Sequence, residues 1–205
     1  TQKWTLFPYT TLFRSAIFRR SGEGLGPILR LTIMAREDEQ LQTALEILDF
    51  IIEEAPNEVR LQAHQLRLNI LQETLAPEKF SEIRQGYNAL FDTYGNGSGM
   101  LSLYIDYANF LAFKLKENLK AQEILKGFLE RDLNKFEEAA LKMALADILV
   151  LDEKFNQALI YYSQVQNLVE NDVIAQDARF KVAKTSYYKG DFEWATIQLD
   201  VLKSA

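Results

Sequence analysis

Side chains able to do chemistry are sparse in this chain of 205 residues, and their spacing works against catalysis. There is no cysteine, which removes thiolate nucleophiles, disulfide scaffolds and thiolate metal sites. One histidine, His64, cannot build a multi-histidine zinc or iron centre. It stands among Gln62, Gln65 and Arg67, with no second histidine and no nucleophile in the pattern. It therefore reads as a surface or groove residue rather than a catalytic base. Carboxylates are plentiful but come as chain neighbours: Glu53-Glu54, Glu137-Glu138 and Asp152-Glu153. Adjacent residues on a helix point about 100° apart, so such pairs diverge and suit a solvated face or a helix end. Ser21-Gly22-Glu23-Gly24-Leu25-Gly26 has the glycine content of a phosphate loop, yet no strand precedes it and no Lys-Ser/Thr follows. Gly95 to Gly99 reads as a flexible loop, and Asn96-Gly97-Ser98 within it is a formal glycosylation acceptor. Phe192 and Trp194 flank Glu193 at a helix start, where packing of the rings in the turn is expected. No catalytic residue, cofactor or metal is expected.

Composition bounds the remaining classes. The chain is 48% hydrophobic and 25% charged, an ordinary globular balance that excludes collagen-like and low-complexity sequences. The most apolar run, Ala44 to Ile52, contains Glu46 and Asp49, so no transmembrane segment and no direct membrane insertion are expected. A formal net charge of −6 argues against a nucleic-acid surface.

The first residues stand apart. Thr5 to Ser15, TLFPYTTLFRS, resembles one reading frame of a short-read sequencing adapter over eleven consecutive positions. Residues 1–20 are accordingly left out of the fold reading. They carry four basic groups and no acid, so the remainder holds 19 basic and 29 acidic residues, a net of −10.

From Pro27 onward apolar residues recur at three- and four-residue steps, and strand-like alternation is missing. Helices are expected over about 28–37, 41–55, 58–74, 78–94, 100–115, 118–131, 136–151, 155–169, 173–188 and 192–204. Breakers such as Pro56-Asn57, Ala76-Pro77 and Gly190-Asp191 separate them. The second helix of each pair repeats a large–small–large–large pattern. Phe155, Ala158, Tyr162 and Val165 show it, as do Phe192, Ala195, Leu199 and Leu202. Leu41, Ala44, Leu48 and Ile51 fit too; Phe80, Ile83, Tyr87 and Leu90 fit with a bulkier second member. Ala121, Leu125 and Phe128 fit behind an anomalous Asn118. The second column returns every 37 to 39 residues. One helical hairpin cannot bury its apolar face alone, so neighbours must stack, and a small residue lets two helices approach.

These stretches resemble tetratricopeptide repeats, best over LADILVLDEKFNQALIYYSQV (145–165) and FKVAKTSYYKGDFEWATIQL (180–199). Ala44, Leu48 and Pro56 match the second half of another unit. The last 28 residues also look like a segment of large, uncharacterised bacterial tetratricopeptide proteins, many of them exported. The resemblance implies an all-α, right-handed α-α superhelix of about five hairpins, over 25–58, 59–99, 100–135, 136–172 and a truncated 173–205. It leans the localisation to the bacterial periplasm or cell envelope, with the cytoplasm as the alternative. A chain ending inside the fifth pair, without a polar cap, is expected to be an internal fragment with an exposed apolar face and some self-association.

In such arrays the first helix of each pair lines a concave groove. The resemblance places Asp106, Phe110, Phe113 and Lys114 of the third pair on that surface. It adds Met143, Asp147 and Val150 of the fourth, and Phe180, Lys184, Tyr187 and Tyr188 of the fifth. Aromatic rings interleaved with lysines suit an extended or helical peptide, with rings supplying area and ammonium groups steering carboxylates. The expected function is a non-enzymatic protein-interaction scaffold. The rival expectation is an architectural spacer or oligomerisation segment of a longer chain.

Overall fold

The computed structural model describes residues 25–203 apart from Asn96 and Asn171. The adapter-like stretch Thr5–Ser15, the glycine-rich start at Ser21 and the acceptor Asn96 lie outside those residues. Ten α-helices follow in order: α1 (Leu25–Glu37), α2 (Leu41–Glu54), α3 (Asn57–Thr74), α4 (Phe80–Tyr94), α5 (Leu101–Asn109), α6 (Asn118–Leu129), α7 (Lys135–Leu151), α8 (Phe155–Leu168), α9 (Val173–Lys189) and α10 (Phe192–Lys203). A 3-10 turn, Pro77–Lys79, leads into α4, another, Ser98–Met100, leads into α5, and a π-helical turn, Phe110–Lys114, extends α5. No strand occurs among the described residues, and none of the described helices is long and apolar enough to cross a membrane. The described residues form two compact units, divided between Thr93 and Tyr94.

Within each unit consecutive helices pack as hairpins, α1 on α2 and α2 on α3 in the first, and α5 through α10 in sequence in the second. The repeating column is the reason. Ala44, Ile83, Ala121 and Ala158 are fully buried, and Ala195 nearly so. Leu48, Tyr87, Leu125 and Tyr162, four residues further along each helix, are buried as well. Small residues on the first helices face them: Ala108, Ala146 and Ala183 are buried, and Thr32 takes that place in α1. Burying one Leu-sized side chain contributes about 1.5–3 kcal/mol, so each hairpin gains chiefly by covering its neighbour.

Four hairpin turns are built alike. Glu39, Lys116, Glu153 and Gly190 adopt left-handed conformations with φ of 59°, 61°, 58° and 88°. Each stands two residues before the helix that follows it. The next residue's N–H then reaches back to a carbonyl of the preceding helix. Gln40 donates to Ala35 at 2.8 Å, Lys154 to Leu149 at 2.9 Å and Asp191 to Ser186 at 2.9 Å, always five residues back. Glu117 instead donates to Leu111 at 2.9 Å, six residues back. The extra residue is the one that the π turn of Phe110–Lys114 inserts. The α3–α4 connection lacks this turn. Leu75 and Ala76 are extended and Pro77 opens the 3-10 turn, which explains why the repeat pattern is faintest there.

Candidate partner-binding face

In the second unit the first helices α5, α7 and α9 carry the residues to which the sequence assigns a groove. The starts of α7 and α9 are both fixed by capping. Asn134 accepts from the backbone of Phe136 and Glu137 while the Glu137 side chain accepts from the Asn134 N–H, a capping box. Asp172 accepts from the Ile174 N–H at 2.9 Å at the start of α9.

Asp147 lies where three helices meet. The Tyr162 hydroxyl of α8 donates to its Oδ1 at 2.6 Å, and the Lys181 ammonium of α9 donates to its Oδ2 at 2.6 Å. Burial, then the neighbouring Asp147 carboxylate, push the Tyr162 hydroxyl far above its ordinary pKa, so it stays a donor. Lys142 is likewise neutralised, by Glu138 one turn before it at 2.6 Å. A second polar knot joins α6 to the end of α7. Asp152 accepts from Asn118, from Gln122 at 2.7 Å and from Lys154 at 3.0 Å. Burial alone raises the Asp152 pKa, but the hydrogen bonds from Asn118, Lys154 and Gln122 outweigh it and bring the group below its usual value. Asn118, which breaks the apolar pattern of α6, therefore has a structural task.

The expected groove residues fare unequally. Phe113 and Lys114 are exposed on the π turn, and Lys184, Tyr187 and Tyr188 are exposed on α9. The Lys184 ammonium lies 5.8 Å from the centre of the Tyr188 ring. Tyr187 sits edge-on to Phe192 at 5.3 Å, so it belongs to the tip of the last hairpin as much as to α9. Phe192 and Trp194 nevertheless remain largely exposed, so the turn does not bury them as the sequence reading expects. Asp106 and Val150 are half-buried, and both oxygens of Asp147 are engaged within the fold. Phe110 has to be withdrawn: it has no exposed surface. A spacing of 37 sets it in the column of Asp147, but the π turn's extra residue rotates it into the column of the buried Ile148, and Asn109 takes the place at the surface. Met143 is nearly buried, so it offers little surface to a ligand. Sequence reasoning missed Lys181 and Tyr162 as partners of Asp147, because links between side chains 34 and 15 residues apart on different helices leave no periodic trace.

Among the described residues nothing else gathers reactive groups. His64 is half-buried on α3; burial, then Arg67 and Arg60, lower its pKa, and Asp49 offsets only part of this. The imidazole is thus neutral near pH 7, beside an Arg67–Asp49 pair at 2.7 Å. Two open clefts of about 490 and 320 Å³ lie at residues 116–120 with Asp152 and at residues 153–157 with Lys189, the same notch 37 residues apart. Neither brings a nucleophile to a base. Among the described residues no group of three or more His, Asp or Glu side chains could hold a metal ion.

Stacked helical hairpins at a period of 37 to 39 residues, joined by one recurrent turn, define a helical-repeat protein. Comparison with solved structures assigns the fold as that of tetratricopeptide repeats. The chain is similar to PilF of Pseudomonas aeruginosa, with a TM-score of 0.63 and 15% identity over 88% of this chain and 75% of that one. It is similar to a putative kinesin light chain of Podosopora anserina with nearly identical TPR-like repeats, with a TM-score of 0.63 and 15% identity over 90% and 96% of the two chains. A third likeness is to a signal transduction ATPase of Pyrococcus horikoshii with a tetratricopeptide repeat sensor. There the TM-score is 0.66 at 12% identity, over 96% of this chain and 31% of that one. No protein-family model and no curated protein matches the sequence.

Proposed function

We propose that the chain is a non-catalytic interaction scaffold whose second unit binds a peptide or partner helix along the inner face of α5, α7 and α9. One observation supports this most. Lys114 and Lys184 are exposed and have no carboxylate partner among the described residues, whereas Lys142, Lys181 and Asp147 are neutralised in pairs. An acidic chain that leaves two ammonium groups open beside Phe113 and Tyr188 favours an acidic ligand with apolar or aromatic anchors. Rings with few rotatable bonds supply area at low entropic cost, and the lysines steer the approach.

The test is a random peptide-display selection on the immobilised chain, followed by binding of the enriched peptides to variants. The enriched peptides should be net acidic. Lys184→Glu and Phe113→Ala should each weaken them about tenfold or more with helicity unchanged, a loss of roughly 1.4 kcal/mol. Equal binding by both variants overturns the reading.

A further inference from the structure

Three surface positions recur at one height on the first helices of the second unit. Lys114 ends the π turn of α5, Leu151 ends α7 and Tyr188 is next to last in α9. Each stands two residues before the left-handed residue of its turn, Lys116, Glu153 or Gly190, so the three form one column at a spacing of 37. The column stays open inside the stack. Helices α7 and α8 have α6 packed on one side and α9 on the other, yet Leu151 is 37% exposed. Lys114 and its neighbour Phe113 are exposed a further hairpin inward, and Tyr188 continues the column on α9.

The step of the column selects what can follow it. Helix α7 touches the π turn on one side and α9 on the other. Packed helices lie about 8–10 Å apart, which sets the distance from one rung to the next. An extended strand returns a side chain to one face about every 6.6–6.8 Å and falls out of step at the second rung. An α-helix returns one about every 5.4 Å and, at about 10–12 Å wide, would hold every other turn over the seam between two helices. A polyproline II segment returns every third residue after about 9.3 Å and covers both steps in about 19 Å.

The rungs suit such a segment chemically. Polyproline II has no internal hydrogen bonds, so its carbonyls need outside donors. Tyr188 offers a flat ring, and its hydroxyl has no hydrogen bond among the described residues. Leu151 adds aliphatic area, and the Lys114 ammonium has no carboxylate partner among the described residues. We infer that this column receives a polyproline II segment of a partner, with an aspartate or glutamate, then an apolar residue, then a proline at every third position. They sit on Lys114, Leu151 and Tyr188 in turn. The inference rests on the interaction-scaffold reading and narrows it to one ligand conformation and one spacing.

The probes are fluorescein-labelled peptides of sequence EQQPQQP and its reverse, titrated into the full chain by fluorescence anisotropy. One of the two directions should bind about tenfold more tightly than the same residues at two- or four-residue steps, EQPQP and EQQQPQQQP, the effect of unseating one anchored side chain. Lys114→Gln should remove the preference for glutamate over glutamine at the end of the peptide. Leu151→Ser and Tyr188→Ala should each weaken binding several-fold with the circular dichroism unchanged. Equal affinity at all three spacings overturns the inference, and so does absence of binding by both directions. A stapled helix carrying the same three residues at heptad spacing and binding more tightly overturns it as well, by giving the face to a partner helix. Acidic peptides that bind through Phe113 with no preference for the three-residue step overturn this inference and leave the scaffold reading standing.

Discussion

Asp147 of α7 accepts from two other helices at once, from the Tyr162 hydroxyl of α8 and the Lys181 ammonium of α9, each at 2.6 Å. The hydroxyl completes the interior of one hairpin while the ammonium fastens the next hairpin onto it. Tyr162 thus fills the large-residue column and satisfies a half-buried carboxylate.

The two roles can be separated. Tyr162→Phe keeps the ring and removes only the donor, leaving Asp147 with Lys181, and should cost about 1–2 kcal/mol. Tyr162→Ala also empties a fully packed site and should cost about 3–5 kcal/mol. Urea unfolding followed by far-ultraviolet circular dichroism measures both. If the two variants lose the same stability, the ring contributes nothing beyond its hydroxyl.

What the sequence discloses and what it conceals divide along one line. Ala44, Ile83, Ala121, Ala158 and Ala195 are legible because hairpin stacking demands a buried residue at one register in every unit, and periodicity is visible in a single sequence. The helix ends are legible because Pro56, Pro77 and Gly190 act locally. Phe110 is misplaced because one inserted residue in a π turn rotates a side chain by a whole column without disturbing the spacing of the second helices. The polar knots of Asp147 and Asp152 are hidden for a different reason. Each joins residues 30 or more apart, and neither recurs in the next repeat, where Lys184 and Lys189 take those places.

The recurrent turn offers a prediction about backbone strain. A non-glycine residue in the left-handed region costs about 1–2 kcal/mol, and three of the four turns bear it at Glu39, Lys116 and Glu153. Glu153→Gly relieves that cost, less the added entropy of a glycine in the unfolded chain, and should stabilise the second unit by about 0.5–1 kcal/mol. Gly190→Ala, at φ 88°, should destabilise it by about 1 kcal/mol, although the added methyl meets no atom within 4 Å. Denaturation midpoints measure both. A Gly190→Ala variant as stable as the parent would mean that the turn relaxes.

Asp152 links the second unit to acid. Its pKa is lower folded than the ordinary value of 3.8, so the unfolded chain binds the proton more readily. The knot's contribution is complete above pH of about 4 and is lost as pH falls through the folded value. Asp152→Ala leaves Gln122, which is buried, without its acceptor and should cost about 1–3 kcal/mol at pH 7. The same variant should lose less further stability than the parent between pH 5 and 3, read from Trp194 fluorescence. Parallel acid profiles for parent and variant would assign the acid sensitivity to other carboxylates.

His64 sets the matching test in the first unit, with its transition at a higher pH. Burial on α3, then Arg67 and Arg60, hold its folded pKa below the ordinary 6.5, so the unfolded state gains a proton first as the solution is acidified. The contribution of the neutral imidazole is whole above pH of about 6.5 and declines as pH falls toward the folded value. His64→Gln keeps a polar side chain of similar reach without a group that titrates in this range. Hydrogen exchange at the α3 amides should therefore accelerate between pH 7 and 5 in the parent, after correction for intrinsic exchange, by more than in the variant. Asp49→Asn supplies the converse, since Asp49 is the carboxylate that pulls the His64 pKa back up. Removing its charge should lower that pKa further, to be followed by the imidazole proton shift in NMR. An imidazole titrating at 6.5 or above would show that the two arginines and burial do not govern it.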